Sequence, residues 1–269
     1  MFHLHDLFRN GRRDDDATVD ESVWAWIESD LPFLEFVPAE MRPRLRELAT
    51  EILRDKEFHG AHGLEVDDRM MLSIALQAAL LILRLGSGCY RGWVGIVVYP
   101  GDFMIPRSVV DEAGVVHEYD EPVLGEAWAG GPVLVSWTVG GGGLRELNVV
   151  IHEFAHKLDM ANGDADGLPV LTPDIDVGRW SKAFGQAFDD FRRRVDSGEV
   201  TAIDPYASES PAEFYAVLSE AFFLMPLRLR AEYPRVYALL AELYGVDTAE
   251  GEATAVARRW RMDHGAADQ

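Results

Sequence analysis

The 269-residue chain contains a single cysteine, Cys89, so no intrachain disulfide can form. That favours a reducing compartment. Basic residues are scarce as well: 25 Lys and Arg stand against 46 Asp and Glu, a net charge of −21. Such a chain has no electrostatic reason to bind nucleic acid or an anionic membrane surface. Its charge suits solubility, or a partner with a basic face. Long apolar runs are missing too. The most apolar stretch, Met70 to Leu85, is shorter than the ~20 residues of a membrane span, and Gln77 and Arg84 interrupt it. It reads as a buried helix. Met1 to Phe8 is too short for the apolar core of a secretory signal, and Asp14, Asp15 and Asp16 follow it. The expected location is the cytoplasm.

What is present is an ordinary globular composition, enough for one large core or two smaller lobes. Residues 1–19 are polar and read as a flexible tail. Residues 20–269 read as a single domain with a helical and sheet lobe over 20–142, a site lobe over 143–250 and a carboxy-terminal tail over 251–269. Helices are expected from Val23, from Pro38 through Leu53, over Met70 to Leu85, and from Arg179 to Val195 with its aromatic stripe. Gly92 to Pro100 and Val133 to Thr138 read as strands. Val109-Val110 and Val115-Val116 flank a hairpin turn.

The chain centres on Asn148-Val149-Val150-Ile151-His152-Glu153-Phe154-Ala155-His156-Lys157-Leu158-Asp159. Residues four apart on a helix lie about 40° from each other and roughly 6 Å apart along the axis. His152 and His156 therefore point the same way and can share one Zn²⁺. Glu153 sits beside that face, where a carboxylate can take a proton from the attacking water. The bland alternative is a half-buried helix with two histidines and a solvated glutamate. A third ligand must come from elsewhere.

His59 and His62 are poor candidates, because Gly60 and Gly63 disfavour a regular helix there. They read as loop histidines. Gly140 to Gly143 lacks the Gly-Lys-Ser/Thr of a phosphate loop and reads as a connection at a cleft rim. The Asp-rich stretch from Met160 to Pro169 lacks the terminal Glu of a calcium loop and reads as an ordered turn.

A second half of the site begins at Ser210, a good N-cap with Pro211 at the first helical position. Glu213 falls three after that cap, which also suits the reciprocal half of a capping box. Glu220 lies seven further on, along roughly the same face. Spacing alone leaves both as partners for the histidines. Tyr206 precedes them in a loop.

Taken together, His152-Glu153-Phe154-Ala155-His156-Lys157-Leu158-Asp159, Asn162-Gly163-Asp164, Tyr206-Ala207, Pro211-Ala212-Glu213 and Ala216 to Glu220 resemble the Mlc titration factor A family of bacterial zinc metallopeptidases. A more distant likeness is to the catalytic domain of anthrax lethal factor. The resemblance covers most of residues 35–245. It implies an α+β fold, mainly helical and zincin-like, with a small mixed sheet. It also implies one zinc per chain held by His152, His156 and Glu213, with Glu153 and Tyr206 catalytic. Glu220 then becomes a supporting candidate. Asp159 is another, if it accepts the other ring N–H of a ligand histidine. The implied activity is peptide-bond hydrolysis, with aminopeptidase-type cleavage as one form. The implied partner is a glucose-responsive transcriptional repressor, which gives a role in sugar uptake. The strand Val133 to Thr138 is a candidate edge for an extended substrate. Two alternatives remain: a regulator-sequestering protein with little proteolysis, and a metal-stabilised scaffold. The intact Glu153 argues against the second.

Overall fold

The structure, a computed structural model, describes residues 19–110, 116–137 and 148–264. Most of the expected amino-terminal tail, the Gly140 to Gly143 connection and the hairpin turn around Ala113 lie outside these residues. Helices make up most of the mass. In chain order they are α1 (Glu21–Ser29), α2 (Arg42–Asp55), α3 (Asp68–Leu80), α4 (Val149–Asp159), α5 (Val177–Asp196), α6 (Pro211–Leu224), α7 (Pro226–Glu232), α8 (Pro234–Tyr244) and α9 (Thr248–His264). The strands are β1 (Glu57–Gly60), β2 (Gly95–Tyr99), β3 (Phe103–Val110), β4 (Val116–Val123), β5 (Gly125–Ala127) and β6 (Val133–Ser136).

Four strands form one mixed sheet in the order β1-β2-β6-β5. The pairings β1–β2 and β2–β6 are parallel, and β5 runs antiparallel to β6. β3 and β4 pair separately as an antiparallel ribbon. Ile96 and Val98 alternate into the core beside Val133 and Val135, their register partners. This arrangement overturns the expectation that Val133 to Thr138 offers an edge. β6 is interior, hydrogen-bonded on both sides, and among the described residues β5 is the edge strand on that side of the sheet.

α4 lies between the sheet and α6, in contact with β5, β6, α3 and α6. Its apolar residues explain this position. Val150, Ile151, Phe154, Ala155 and Leu158 are all wholly buried. The Phe154 ring meets Tyr90 edge-on at 5.3 Å and Trp93 at 5.8 Å. Burying one such side chain contributes roughly 1.5–3 kcal/mol. α5 is strongly amphipathic and turns Trp180, Phe184 and Phe191 inward against Phe214 and Tyr215 of α6. One hydrophobic cluster runs from Trp24 through the sheet and α4 to Ala249, so both expected lobes share it.

Two further expectations change. The segment from residue 251, expected as a tail, continues α9, and its start packs tightly: a Cβ on Gly251 would come within 2.1 Å of the Phe36 carbonyl oxygen. His59 sits on strand β1 rather than in a loop, because Glu57 to Gly60 finds the backbone of β2 to pair with. Among the described residues, no helix is long and apolar enough to cross a membrane.

Candidate metal centre

The Asn148 side chain opens α4 by accepting the Ile151 N–H at 3.0 Å. The helix then brings His152 and His156 edge-to-face, with ring centroids 4.8 Å apart. Ser210 opens α6, its hydroxyl accepting the Glu213 N–H at 3.1 Å. The carboxylate of Glu213 turns to the histidines: its Oε2 lies 3.0 Å from His152 Nε2 and 3.3 Å from His156 Nε2. The two Nε2 atoms are 3.1 Å apart.

Three donor atoms thus form a triangle with edges of 3.0, 3.1 and 3.3 Å. Atoms bound at about 2.0–2.1 Å to a tetrahedral zinc lie roughly 3.3 Å from each other. The donor chemistry agrees with the geometry. His152 Nδ1 lies 2.8 Å from Glu220 Oε1, so a ring holding a metal would keep its proton on Nδ1 and turn its Nε2 lone pair to the triangle. Two imidazole nitrogens and a carboxylate oxygen converging on one point suit a positive charge among them, a proton on His152 in the metal-free site or a metal ion in its place. The residues fit a zinc ion.

Electrostatics reinforce this. Burial works against protonating His152, yet hydrogen bonds to Glu213 and Glu220 outweigh it and raise the metal-free ring well above its ordinary pKa. Burial would raise Glu213 too, but its bonds to both histidines bring it down to about 2. Glu153 is 5% exposed, and burial pushes its carboxyl up to about 8; His152 opposes the rise, and Glu213, Glu220 and Glu126 add to it. A dication here would relieve the crowding of carboxylates.

Glu220 is buried and held at both oxygens. Oε1 takes His152, and Oε2 accepts the Asn148 N–H. The Asn148 side-chain amide donates to Gln77, whose own amide donates to Ser73. A buried polar chain therefore runs from α3 through the start of α4 to the outer nitrogen of His152. Asp159 makes no hydrogen bond to a ligand histidine among the described residues. Its Oδ2 accepts the Gly167 N–H at 2.8 Å, while Oδ1 and His156 Nδ1 are both buried with no hydrogen-bond partner among the described residues. Burial raises the Asp159 carboxyl to about 6. Asp159 instead fixes the following turn, where a Cβ on Gly167 would come within 2.6 Å of the Pro211 carbonyl oxygen at the start of α6.

Tyr206 lies on a short 3-10 turn, Pro205–Ser208, that Asp204 caps. Its ring centroid is 6.2 Å from that of His152, and the residue is 46% exposed, so it stands at the open side of the cluster. His59 and His62 stay apart from it: His59 pairs with Glu57 at 3.4 Å, and the His62 ring lies tilted against Tyr99, centroids 5.5 Å apart.

Three neighbours escaped sequence reasoning. Gly125 on β5 lies so close to α4 that a Cβ there would come within 2.4 Å of Glu153 Oε1. Lys157, expected at no particular place, is buried, and its ammonium donates to the Trp128 and Gly131 carbonyls. Gln77 did leave a signal, as the polar interruption of an apolar helix.

A helix presenting two histidines and a glutamate beside a small sheet, completed by a glutamate from a second helix, is the architecture of a metallopeptidase. The chain belongs to the glucose-regulated metallo-peptidase M90 family, which residues 7–245 match. It is similar to the Mlc titration factor A of Pectobacterium atrosepticum, 33% identical over 222 residues, covering 81% of this chain and 83% of that protein. The Mlc titration factor A of Salmonella typhi is 34% identical over 233 residues, covering 84% and 88%. That of Yersinia pestis is 33% identical, covering 84% and 86%.

Proposed function

We propose that this protein is a zinc-dependent peptidase of the cytoplasm, with His152, His156 and Glu213 as ligands and one zinc per chain. The triangle of converging donor atoms carries the reading, and the family supports it. The peptidase unit comprises the helices and sheet from residue 20 onward. Zinc held there supplies Lewis-acid activation of water and of the scissile carbonyl. Glu153, one residue past the first ligand and buried, takes the proton of the attacking water and passes it to the leaving amine. Tyr206 donates a hydrogen bond to the developing oxyanion, worth about 3 kcal/mol at comparable sites. Glu220 fixes the tautomer and orientation of His152.

Substrate is an extended peptide lying along β5. The Ser136 N–H bonds the Leu124 carbonyl and the Trp128 N–H bonds the Pro132 carbonyl, both towards β6. By alternation, the backbone groups of Gly125 and Ala127 face the open edge. Gly125 also abuts Glu153, so a peptide paired there passes the base. Aminopeptidase-type cleavage is one form of this chemistry. The relatives' name supports a second role, titration of a regulator called Mlc, and a repressor of that kind is the proposed protein partner.

Glu153→Gln tests the mechanism. The variant keeps about one zinc per chain, by metal analysis, and loses cleavage of a fluorogenic peptide. Full activity in the variant would falsify the role of Glu153.

A further inference from the structure

The glutamate that faces β5 has a basic counterpart one turn further along α4. Glu153 and Lys157 are four apart and share a face. Glu153 lies against Gly125 at the start of β5. Lys157 reaches the turn at the other end of that strand. Its Nζ donates to Trp128 O at 2.6 Å and Gly131 O at 2.7 Å, and it stands 4.6 Å from the Trp93 ring centroid. The side chain is 4% exposed, a costly place for an ammonium unless its donors are used. The turn is also held by its own backbone, through Trp128 N–H to Pro132 O at 3.2 Å and Gly131 N–H to Trp128 O at 3.0 Å, and by the Trp128 indole N–H donating to Glu126 Oε2. β5 is three residues long and bonded to β6 on one side. Two points along one stripe of α4 thus brace both ends of a short edge strand.

We propose that Lys157 is a positioning residue: it clamps the β5–β6 turn to the metal-site helix and so fixes the open edge of β5 relative to Glu153. This rests on the peptidase reading above. Lys157 touches neither the reacting atoms nor the proposed ligand atoms. It acts through the backbone on which an extended substrate lies. A substrate long enough to pair with β5 depends on the clamp, and one too short to reach along the strand does not.

Lys157→Met tests it. Three quantities are compared with wild type: zinc content, kcat/KM on a dipeptide amide and a hexapeptide sharing one scissile bond, and hydrogen exchange of the Gly125 to Trp128 amides. The expected loss is about tenfold on the hexapeptide and under about twofold on the dipeptide amide, as for a slight misplacement of a bound substrate. Zinc is retained, exchange in β5 quickens, and Lys157→Arg restores part of the hexapeptide activity. Equal losses on both substrates, or unchanged exchange in β5, would overturn the proposal. If Lys157→Met fails to fold, Gly131→Ala disturbs the same turn with the lysine in place, since its Cβ would press on Trp128 Cβ at 3.0 Å. The same dependence on length is expected, and its absence overturns the proposal equally. Wild-type protein that cleaves neither peptide would sink the peptidase reading, whereas the exchange comparison would still decide the clamp.

Discussion

Gly125 is where one hydrogen atom decides the shape of the site. A methyl group there would overlap Glu153 Oε1, Glu153 Cγ and Val149 Cγ2, at 2.4, 2.6 and 2.6 Å. Neither neighbour can retreat easily, because Glu153 is buried and α4 is packed on its remaining faces. Gly125→Ala therefore displaces either the strand or the proposed base. The expected result is a fall in kcat/KM of about a hundredfold with zinc retained, because the displaced group is the base and not a ligand. Activity within a few-fold of wild type would show that β5 approaches less closely than this. Single residues also show what sequence reading reaches. His152, Glu153 and His156 were legible because one helical turn sets their geometry. Gly125 was not, since a close approach between two elements leaves no mark on local spacing. Gln77 lies between these cases. Its polarity in an apolar helix was plain, but its partner Asn148 is distant in the chain and becomes visible only once α3 and α4 pack.

At the scale of elements, the site depends on how α6 begins. Ser210 caps the helix by accepting the Glu213 N–H, and a capping box would have sent the Glu213 carboxylate back to the cap. That carboxylate faces the histidines, so only the serine half of the box forms. Glu213 and Glu220 also take different places around His152. They lie two turns apart on one face, roughly 10 Å along the axis, and meet opposite sides of the same imidazole. Glu213 reaches Nε2 of His152, and Glu220 reaches Nδ1. Spacing could place both near the metal helix but not say which nitrogen each would meet. Ser210→Ala is expected to destabilise the protein by ~1 kcal/mol, or about 2–4 °C in Tm. It should also weaken zinc binding, because the freed first turn carries Glu213. Calorimetry and chelator competition check both effects, with Ser210→Thr as the restoring control. A stability loss with unchanged zinc affinity would mean that Glu213 is positioned by its histidine contacts alone. The missed strands have a physical cause as well: Glu57 to Gly60 and Gly125 to Ala127 have little intrinsic strand preference and extend only because β2 and β6 are there to pair with.

For the whole molecule, the charge balance makes its buried cations unusual. With a net charge of −21, most basic groups can find acids at the surface. Lys56 and Lys157 instead lie buried around one indole, at 3.8 and 4.6 Å from the Trp93 centroid. Lys56 comes from the end of α2 and donates to the Tyr90 and Trp93 carbonyls; Lys157 comes from the metal helix. Together they join the amino-terminal helices, the sheet and the site through one aromatic ring. Burial brings both down to about 8, Asp55 opposing the fall at Lys56 and the neighbouring Lys56 adding to it at Lys157. In the unfolded chain a lysine titrates near 10.4. Between about pH 8 and 10 these two lysines therefore bind more protons in the unfolded state than in the folded one, and their contribution to stability rises with pH. Below that window the lysines are charged in both states and add no slope. Above it, the buried tyrosines Tyr237 and Tyr244, whose hydroxyls burial raises well above their ordinary value, hold protons the unfolded chain would lose, and the slope reverses. Lys56→Met should remove ~1 kcal/mol of the rise between pH 8 and 10, less than the full shift because two carbonyls already solvate the ammonium. Urea denaturation at pH 7, 8, 9 and 10 measures it. A wild-type stability that falls across this window, or a variant with the same slope, would mean that Lys56 reaches water in the folded protein.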